Sequence, residues 1–292
     1  MSPARILLGK TVSDHVYDLL SPRIKILKEK NIVPGLAVVM VGDDAASKVY
    51  VRNKTHKFKN LDLYSETFEL PTDTQEIELF KLIDKLNNDN SFHGILIQLP
   101  LPEHLDSIRI TERIDPAKDV DGIHPANSGK LTMGLPHFIP CTPKGIMRIF
   151  NYYNINLAEK NVVVIGRSNL VGRPISILTS LKNPNGNATV TLCHSQTPDI
   201  PYYSLQADII IAAIGVPQFV DESFIKPGVV LIDVGINRVK DNSAKGYKLV
   251  GDIDFNRVEN LASYITPVPG GVGPMTIAML VENTIEAAES FI

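Results

Sequence analysis

Short, nearly all-apolar runs alternate with amphipathic segments along this 292-residue chain, and this alternation constrains the fold more than any other feature. Runs rich in β-branched and other apolar residues are typical of parallel strands that are buried on both faces. The alternation therefore predicts an α/β fold whose mainly parallel sheet is covered on both sides by helices. Such runs occupy residues 35–42, 94–99, 188–193, 207–214 and 229–234.

Composition excludes several classes of protein. The net charge is −3 and there is no acidic or basic tail, which disfavours a nucleic-acid or anionic-membrane surface. No stretch approaches the roughly 20 apolar residues that span a bilayer, and the apolar run near the N-terminus is too short for a signal peptide. Cys141 and Cys193 lack metal-type spacing, so we expect reduced thiols in a cytoplasmic protein.

Tyr50 and Lys54 lie four residues apart in a segment, Ser47–Leu61, that predicts a helix. At this spacing they share one helix face, about one turn apart. An aromatic ring beside a movable ammonium suits a flat ligand whose reactive centre needs a proton moved. The alternative is a basic helix that only faces solvent.

Gln98 is a polar residue near the end of the apolar run Gly94–Leu99. A buried polar side chain must find a hydrogen-bond partner. In open parallel sheets the carboxyl ends of the strands form the ligand crevice, which favours a functional role. A glutamine that bonds only to nearby backbone is the alternative, and the sequence does not decide between them.

The loop KDVDGIHP, residues 118–125, offers two carboxylates and an imidazole. Asp119, Asp121 and His124 are candidate metal ligands, but no fourth ligand is evident, so we expect no metal. A carboxylate that accepts two parallel N–H bonds from the edge of a heterocycle is the better chemical use.

A strand, glycine turn and helix begin the second half of the chain. Gly166 permits a tight turn after the strand, and Gly172 permits close packing of the following helix. Ser168 replaces the second glycine of the usual dinucleotide-binding fingerprint, so the motif alone is weak. The strand-like runs that follow it strengthen the interpretation as a Rossmann-type nucleotide-binding sheet.

Arg167 and Ser195 follow the first two strands of this half. No acidic residue stands where NAD-binding proteins often bind the ribose hydroxyl, and a cation with a hydroxyl suits a 2′-phosphate. These residues favour NADP over NAD. Arg167 as a merely exposed turn residue is the alternative, and Arg173 is a second candidate.

The segment ITPVPGGVGPMT, residues 265–276, precedes the last predicted helix. Adjacent glycines between prolines make a stiff loop whose backbone can approach a ligand closely. A ligand-binding loop is favoured over a simple connector.

Taken in order, these motifs resemble the bifunctional methylenetetrahydrofolate dehydrogenase/methenyltetrahydrofolate cyclohydrolase family. The resemblance extends from about Leu8 to Ala288, and the ordered set is specific although each motif alone is modest. The motifs are YVRNK at 50–54, QLP at 98–100, KDVDG at 118–122, GRS at 166–168 and PVPGGVGP at 267–274.

The resemblance implies two reactions. 5,10-Methylenetetrahydrofolate transfers a hydride to NADP, and water then opens the resulting 5,10-methenyltetrahydrofolate to 10-formyltetrahydrofolate. The first step needs mainly orientation. The second needs a base, and a lysine near a positive charge and partly desolvated has a lowered pKa that suits this task.

The resemblance also implies roles for individual residues. Lys54 activates water, Gln98 hydrogen-bonds to Lys54 and tunes it, Tyr50 packs against the folate and Asp121 binds the pterin edge. The expected lining of the folate pocket comprises Leu99, Pro100, Pro269, Gly270 and Gly271. The expected NADP contacts are Gly166, Arg167, Ser168, Ser195 and Ile236.

The implied architecture has two domains with the substrate in the cleft between them. The folate-binding catalytic domain comprises residues 1–140 and a C-terminal helix that returns to it, residues 274–292. The Rossmann-type NADP-binding domain comprises residues 141–273. The resemblance further implies a homodimer in which the nucleotide domains make contact.

Two other functions remain open at this point. A monofunctional dehydrogenase of the same family is the nearest alternative, although the presence of Lys54 argues against it. A nucleotide-sensing regulator with a silent first domain is an alternative of a different class. It would bind NADP tightly without hydride transfer.

Overall fold

A computed structural model describes residues 4–242 and 246–291 of the chain. The chain divides into two compact units. One contains the residues up to His15 together with Thr142–Thr276, and the other contains Val16–Cys141 together with the residues from Ile277 onward. Within the described ranges we find no helix with the length and apolarity that a membrane span requires.

Strands and helices alternate over most of the chain. In chain order the strands are β1 Arg5–Ile6, β2 Gly35–Val41, β3 Tyr64–Leu70, β4 Gly94–Ile97, β5 Asn161–Ile165, β6 Thr189–Cys193, β7 Ile209–Ala212, β8 Val230–Asp233, β9 Asn237–Lys240, β10 Tyr247–Val250 and β11 Tyr264–Ile265. The helices are α1 Gly9–Glu29, α2 Ala45–Asn60, α3 Glu76–Asn87, α4 Ser107–Glu112, α5 Pro125–Thr132, α6 Cys141–Tyr152, α7 Gly172–Ser180, α8 Ile200–Ser204, α9 Phe255–Val258 and α10 Val272–Glu289. A short 3₁₀ turn covers Glu222–Phe224.

The unit that contains Val16–Cys141, which we call the three-stranded unit, is built on a parallel sheet in the order β3-β2-β4. Every residue of the central strand β2 is buried, which explains its uninterrupted apolar sequence. Leu79 and Ile83 of α3 are fully buried and belong to the same core as Ile95 of β4. Phe58, also fully buried, anchors α2.

The other unit, which we call the six-stranded unit, contains a parallel sheet in the order β1-β11-β8-β7-β5-β6. The chain runs from β5 to β6 on one side and then crosses to β7 on the other side of β5. The last residues of neighbouring strands pair in register: Cys193 with Ile165, Ile165 with Ala212, and Ala212 with Asp233. The loops after β6, β5, β7 and β8 therefore begin side by side at one edge, where open α/β sheets bind ligands.

The predicted α/β fold with two domains and a Rossmann-type sheet is confirmed. The N-terminal segment differs from the prediction, since Arg5–Ile6 pairs with β11 and so belongs to the six-stranded sheet rather than to the folate-binding domain. A two-residue strand is too short to produce a periodic signal in the sequence. Met1 and Ile292, the outer limits of the predicted domains, lie outside the described residues.

The last helix, α10, belongs partly to each unit, and the division falls after Thr276. Within the three-stranded unit Asn283 of α10 donates a hydrogen bond to the carbonyl of Val120 over 2.7 Å and another to that of Ile139 over 3.1 Å. Asn283 is fully buried. Its amide therefore ties the end of the chain to the loop that contains Asp121.

Two helical glycines provide a test of the packing in this fold. A Cβ atom at Gly9 would lie 1.7 Å from the carbonyl oxygen of Gly271, whereas a Cβ at Gly129 would meet nothing within 4 Å. We expect Gly9→Ala to destabilise the protein by about 1–3 kcal/mol through overpacking. We expect Gly129→Ala to stabilise it by about 0.5–1 kcal/mol because alanine favours a helix. Denaturant midpoints of the two variants check this, and midpoints shifted in the opposite directions would contradict it.

Candidate active site

Helix α2 begins directly after β2 and presents Tyr50 and Lys54. Asp44 caps it, since its carboxylate accepts a hydrogen bond from the backbone N–H of Ser47 over 2.7 Å. Tyr50 has an exposed fraction of 36%, whereas Lys54, one turn later, is buried with 8% exposed. The predicted helix is therefore present, with an accessible aromatic ring beside a buried amine.

The amine of Lys54 is directed at the end of β4. Its Nζ donates a hydrogen bond to Oε1 of Gln98 over 3.0 Å. Burial lowers the pKa of Lys54, because desolvation disfavours the ammonium, and the charge of Asp121 partly opposes this effect. A lysine with a lowered pKa has a larger fraction of neutral amine, which can accept a proton.

Gln98 lies immediately after the last residue of β4, Ile97, rather than inside the strand. Its backbone N–H still extends the sheet by donating to the carbonyl of Val39 over 2.8 Å. The side-chain Nε2 donates to the carbonyl of Leu99 over 2.7 Å. Gln98 therefore does not bond only to nearby backbone, because one end of its amide bonds to Leu99 and the other end accepts from Lys54. The peptide bond between Leu99 and Pro100 is cis.

Asp119 fixes the loop that carries Asp121. Asp119 is fully buried, and its carboxylate accepts hydrogen bonds from the backbone of Ile123 and His124 and from the amide of Asn127, over 3.2, 2.8 and 2.8 Å. Burial raises the pKa of Asp119 to about 6. Asp121 itself is half-buried.

The loop geometry gives Asp119 and His124 structural tasks. Nδ1 of His124 accepts a hydrogen bond from the backbone N–H of Ala126 and caps α5. In residues 4–242 and 246–291 no group of three or more His, Cys, Asp or Glu side chains is arranged to hold a metal ion. Sequence reasoning missed the role of Asp119; the available signal was an acidic residue followed by Asn127 in a turn-rich loop.

In the six-stranded unit, the turn after β5 is tightly packed. Gly166 has a φ of +120°, and a Cβ there would lie 2.1 Å from the carbonyl oxygen of Ala213. A Cβ at Gly172 would lie 2.0 Å from the carbonyl oxygen of Gly166. The Oγ of Ser168 accepts a hydrogen bond from the backbone N–H of Val171 over 3.1 Å. The two glycines therefore have the tight-turn and close-packing functions that the sequence predicted for them.

The candidate NADP contacts follow adjacent strands of this sheet. Arg167 and Ser195 are exposed after β5 and β6, and these strands pair in register at Ile165 and Cys193. Ile236 is 43% exposed after β8. Arg173 is exposed too, but its guanidinium donates a hydrogen bond to Oδ1 of Asn169 over 3.1 Å.

The proline- and glycine-rich segment also lies in the six-stranded unit. The bond between Val268 and Pro269 is cis, and Gly270 has a φ of +105° that favours glycine. The carbonyl of Gly270 accepts a hydrogen bond from the backbone of Gly9 over 2.9 Å, and the N–H of Gly271 donates to the carbonyl of Pro267 over 2.8 Å. The structure thus places the candidate folate residues Tyr50, Lys54, Gln98, Leu99, Pro100 and Asp121 in the three-stranded unit, and Pro269, Gly270 and Gly271 in the six-stranded unit.

Comparisons with known proteins match nearly the full length of this chain. The model of the tetrahydrofolate dehydrogenase/cyclohydrolase catalytic domain matches residues 7–121, and the model of the NAD(P)-binding domain of the same family matches residues 140–292. The chain is 52% identical over 286 residues to the bifunctional protein FolD of Chlorobium phaeobacteroides, covering 97% of this chain and 96% of the relative.

Two solved structures are similar over nearly their full length. The bifunctional FolD methylenetetrahydrofolate dehydrogenase/cyclohydrolase of Campylobacter jejuni has a TM-score of 0.93 and 45% identity, covering 99% of this chain and 100% of that one. The FolD methylenetetrahydrofolate dehydrogenase-cyclohydrolase of Trypanosoma brucei, complexed with NADP cofactor and an inhibitor, has a TM-score of 0.94 and 35% identity, with 100% and 99% covered.

The environment of Lys54 predicts an unusual titration. Lys48 lies on the same helix, and its ion pair with Asp43 raises the pKa of Lys48. In protein labelled with ¹³C-lysine, we expect the Cε resonance of Lys54 to titrate at lower pH than that of Lys48. Gln98→Glu places a carboxylate next to Nζ and should raise the pKa of Lys54. Titration of Lys54 at or above the pH for Lys48 would show that burial does not control its ionisation.

Proposed function

The chain belongs to the tetrahydrofolate dehydrogenase/cyclohydrolase family, and we propose that the buried amine of Lys54, held by Gln98, is the base of its cyclohydrolase reaction. The enzyme oxidises 5,10-methylenetetrahydrofolate to 5,10-methenyltetrahydrofolate with NADP and then hydrolyses that product to 10-formyltetrahydrofolate. The observation that carries the assignment of Lys54 is the hydrogen bond from Nζ to Oε1 of Gln98 at a site with 8% exposure.

Hydrolysis needs a proton acceptor close to the reacting water. Neutral Lys54 takes a proton from water as the oxygen adds to the amidinium carbon of the substrate. The carbon–nitrogen bond of the ring then breaks as the added hydroxyl loses its proton to solvent and becomes the formyl carbonyl. The released nitrogen takes up the proton that Lys54 accepted, so one proton is released overall and Lys54 returns to its neutral form. Oε1 of Gln98 accepts an N–H bond from Nζ and so orients the lone pair of the neutral amine. Gln98 carries no charge that would stabilise the ammonium form. The cationic substrate further disfavours the ammonium form of Lys54.

The other folate contacts fit a flat, cationic heterocycle. We propose that the exposed ring of Tyr50 stacks on the folate and that Asp121 accepts N–H bonds from the pterin edge. We also propose that Leu99 and Pro100 contact the folate, and that the backbone of Pro269, Gly270 and Gly271 does so too. Support for these roles comes from the matching motifs and from the accessible positions of Tyr50 and Asp121.

The donor set after β5 and β6 fits NADP. NADP, when bound, accepts the hydride in the dehydrogenase reaction. We propose that Gly166 and Ser168 contact its pyrophosphate, that Ser195 and Arg167 bind the 2′-phosphate, and that Ile236 contacts the cofactor farther along the edge. An exposed guanidinium and hydroxyl after adjacent strands have the chemistry that a phosphate monoester requires.

The two domains have different proposed roles, and the protein has a proposed oligomeric state. We propose a folate-binding catalytic domain of residues 1–140 with 274–292 and a nucleotide-binding domain of residues 141–273. The strand Arg5–Ile6 is the exception, because it joins the sheet of the nucleotide-binding domain. We also propose a cytoplasmic homodimer. β6 is an edge strand of the larger sheet, and an edge strand is a position at which a second copy can pair. Sedimentation equilibrium tests the dimer.

Replacement of Lys54 separates the two activities. We expect Lys54→Met to lower hydrolysis of 5,10-methenyltetrahydrofolate by about 10²–10⁴-fold, because a positioned base contributes a factor of this size. Lys59→Met, an exposed position on the same helix, is the matched control and should leave hydrolysis unchanged. Spectrophotometry of methenyltetrahydrofolate loss and of NADPH formation measures both steps.

The outcomes of this experiment distinguish the alternatives. Hydrolysis by Lys54→Met at the wild-type rate would remove Lys54 as the base. A wild-type protein that forms NADPH without hydrolysing methenyltetrahydrofolate would be a monofunctional dehydrogenase. NADP binding without turnover of either substrate would favour a nucleotide sensor.

Cofactor preference tests the assignment of the 2′-phosphate site. We expect Arg167→Ala to weaken NADP binding by about 10–100-fold and to leave NAD binding nearly unchanged, since a charge-assisted phosphate contact contributes about 1.5–3 kcal/mol. Arg173→Ala is the matched comparison, and its effect should be smaller because its guanidinium bonds to Asn169. Calorimetric titration with both nucleotides measures this. Equal losses for NADP and NAD in Arg167→Ala would place the guanidinium elsewhere on the cofactor.

A further inference from the structure

Two buried aspartates in the six-stranded unit have no part in the mechanism described so far. Asp233 is the last residue of β8, with 3% exposed, and Asp252 follows β10 with no exposed surface. A buried carboxylate is expensive unless several donors compensate for lost water. The donors that surround these two carboxylates show what the burial achieves.

Asp252 joins two loops at the carboxyl edge of the sheet. Its Oδ2 accepts hydrogen bonds from the backbone N–H groups of Ile214 and Gly215 over 2.7 and 3.0 Å. Its Oδ1 accepts a hydrogen bond from Nδ2 of Asn237 over 2.9 Å. Ile214 and Gly215 follow β7, whereas Asn237 is the first residue of β9 and ends the loop that follows β8. One side chain therefore bridges the loops of neighbouring strands.

Asp233 holds the backbone that presents Asp252. Its Oδ1 accepts hydrogen bonds from the N–H groups of Gly235 and Asp252 over 3.0 and 2.8 Å, and its Oδ2 accepts one from Ile253 over 2.9 Å. Burial raises the pKa of Asp233 to about 7, and the charge of Asp252 contributes to the rise. The two carboxylates form a chain of contacts that runs from the end of β8 through Asp252 to both loops.

The close approach in this network depends on two glycines. A Cβ at Gly235 would lie 2.2 Å from Oδ1 of Asp252, and a Cβ at Gly251 would lie 1.8 Å from Oδ2 of Asp233. No other residue type fits at either position without displacing a carboxylate. The glycines in VGIN (residues 234–237) and VGDID (residues 250–254) therefore allow these two segments to pack closely against the carboxylates of Asp252 and Asp233, respectively.

Ile236 lies between two restrained neighbours in this network. Gly235 donates its N–H to Asp233, and Asn237 donates its side-chain amide to Asp252. Ile236 itself is 43% exposed. The two carboxylates therefore determine where this exposed apolar side chain is presented.

The position of the network on the sheet indicates which part of a dinucleotide lies there. In Rossmann-type sheets the first strand–helix turn binds the pyrophosphate, and the dinucleotide extends across the point where the strand order reverses. Here the reversal lies between β5 and β7, and the candidate 2′-phosphate residues follow β5 and β6. The loops after β7 and β8 are on the other side of the reversal, which leaves them for the nicotinamide half.

We propose that Asp252 is a positioning residue for the nicotinamide half of NADP, because its carboxylate holds the loops of Ile214–Gly215 and Asn237 in the arrangement that presents Ile236 to the cofactor. This inference rests on the proposed function, in which the six-stranded unit binds NADP. Asp233 supports Asp252 by fixing its backbone. Neither aspartate touches the reacting atoms in this assignment.

An isosteric substitution at Asp252 tests the proposal. In Asp252→Asn the introduced carboxamide cannot accept on both sides, so its NH₂ group opposes either the backbone donors or the amide of Asn237. We expect the Kd and the KM for NADP to rise at least about tenfold. Hydrolysis of 5,10-methenyltetrahydrofolate, measured without nucleotide, should stay at the wild-type rate and shows that the protein is folded.

A rescue variant distinguishes positioning from a general structural role. In the double variant Asp252→Asn with Asn237→Asp the donor and acceptor exchange places, so the bridge between the loops can form again. We expect NADP affinity to recover to within about threefold of wild type. Asp221→Asn is the control, since Asp221 is an aspartate of the same unit that caps a 3₁₀ turn, and it should leave NADP affinity unchanged.

The possible results separate cleanly. NADP affinity of Asp252→Asn within twofold of wild type would overturn the proposal, as would a parallel loss of hydrolysis and NADP binding that the double variant does not restore. If Asp252→Asn fails to fold, Asn237→Ala removes only the link to the second loop, and unchanged NADP affinity in that variant would also overturn the proposal. Wild-type protein that does not bind NADP in calorimetry would instead refute the proposed function itself.

Discussion

The hydrogen bond between Nζ of Lys54 and Oε1 of Gln98 is the interaction on which the candidate chemistry depends. A lysine on a solvent-facing helix would be protonated at neutral pH, and the same residue with 8% exposure has a lowered pKa. Gln98 satisfies the amine without a countercharge that would reverse this effect. A carboxylate at position 98 would stabilise the ammonium, so a neutral amide is the partner that leaves the lysine able to act as a base.

In both sheets a polar side chain that accepts hydrogen bonds lies at the carboxyl end of an apolar strand. The half-buried Gln98 follows β4, and the buried Asp233 ends β8, so polar side chains lie at the carboxyl edges of strands that are otherwise apolar. Asp119 and Asp252 hold loops by accepting backbone N–H bonds, and both are fully buried. Asp119, Asp233 and Asp252 break the rule that interiors are apolar, and such local conflicts are expected at functional sites. The strands supply rigidity, and the buried acceptors transfer that rigidity to the loops.

The sequence predicted the features that depend on periodicity and on glycine conformation. The four-residue spacing placed Tyr50 and Lys54 on one helix face, and Gly166 has the positive φ of a tight turn. The sequence did not determine the partners of Gln98, because the oxygen of its amide accepts from Lys54 and the nitrogen donates to Leu99. These two contacts follow from the tertiary structure. The strand Arg5–Ile6 gave no signal because its pairing with β11 joins residues more than 250 positions apart. The sequence VGDID predicts that Asp252 is an exposed turn residue. Its burial depends on tertiary contacts that the local sequence does not show.

The buried ionisable groups of the two units have opposite linkages to pH, yet each of them lowers the free energy of unfolding near neutral pH. The native pKa of Lys54 lies below that of the unfolded chain, so the unfolded state binds an extra proton between these values and stability rises with pH there. The native pKa values of Asp119 and Asp233, about 6 and about 7, lie above the unfolded value. The native state therefore binds the extra protons from about pH 4 upward, and these two groups lower stability as pH rises to about 7. Both kinds of group therefore lower the free energy of unfolding near neutral pH, where the proposed roles require a neutral Lys54 amine and fixed loops. Such a loss is expected where activity and stability place opposite demands on the same residues.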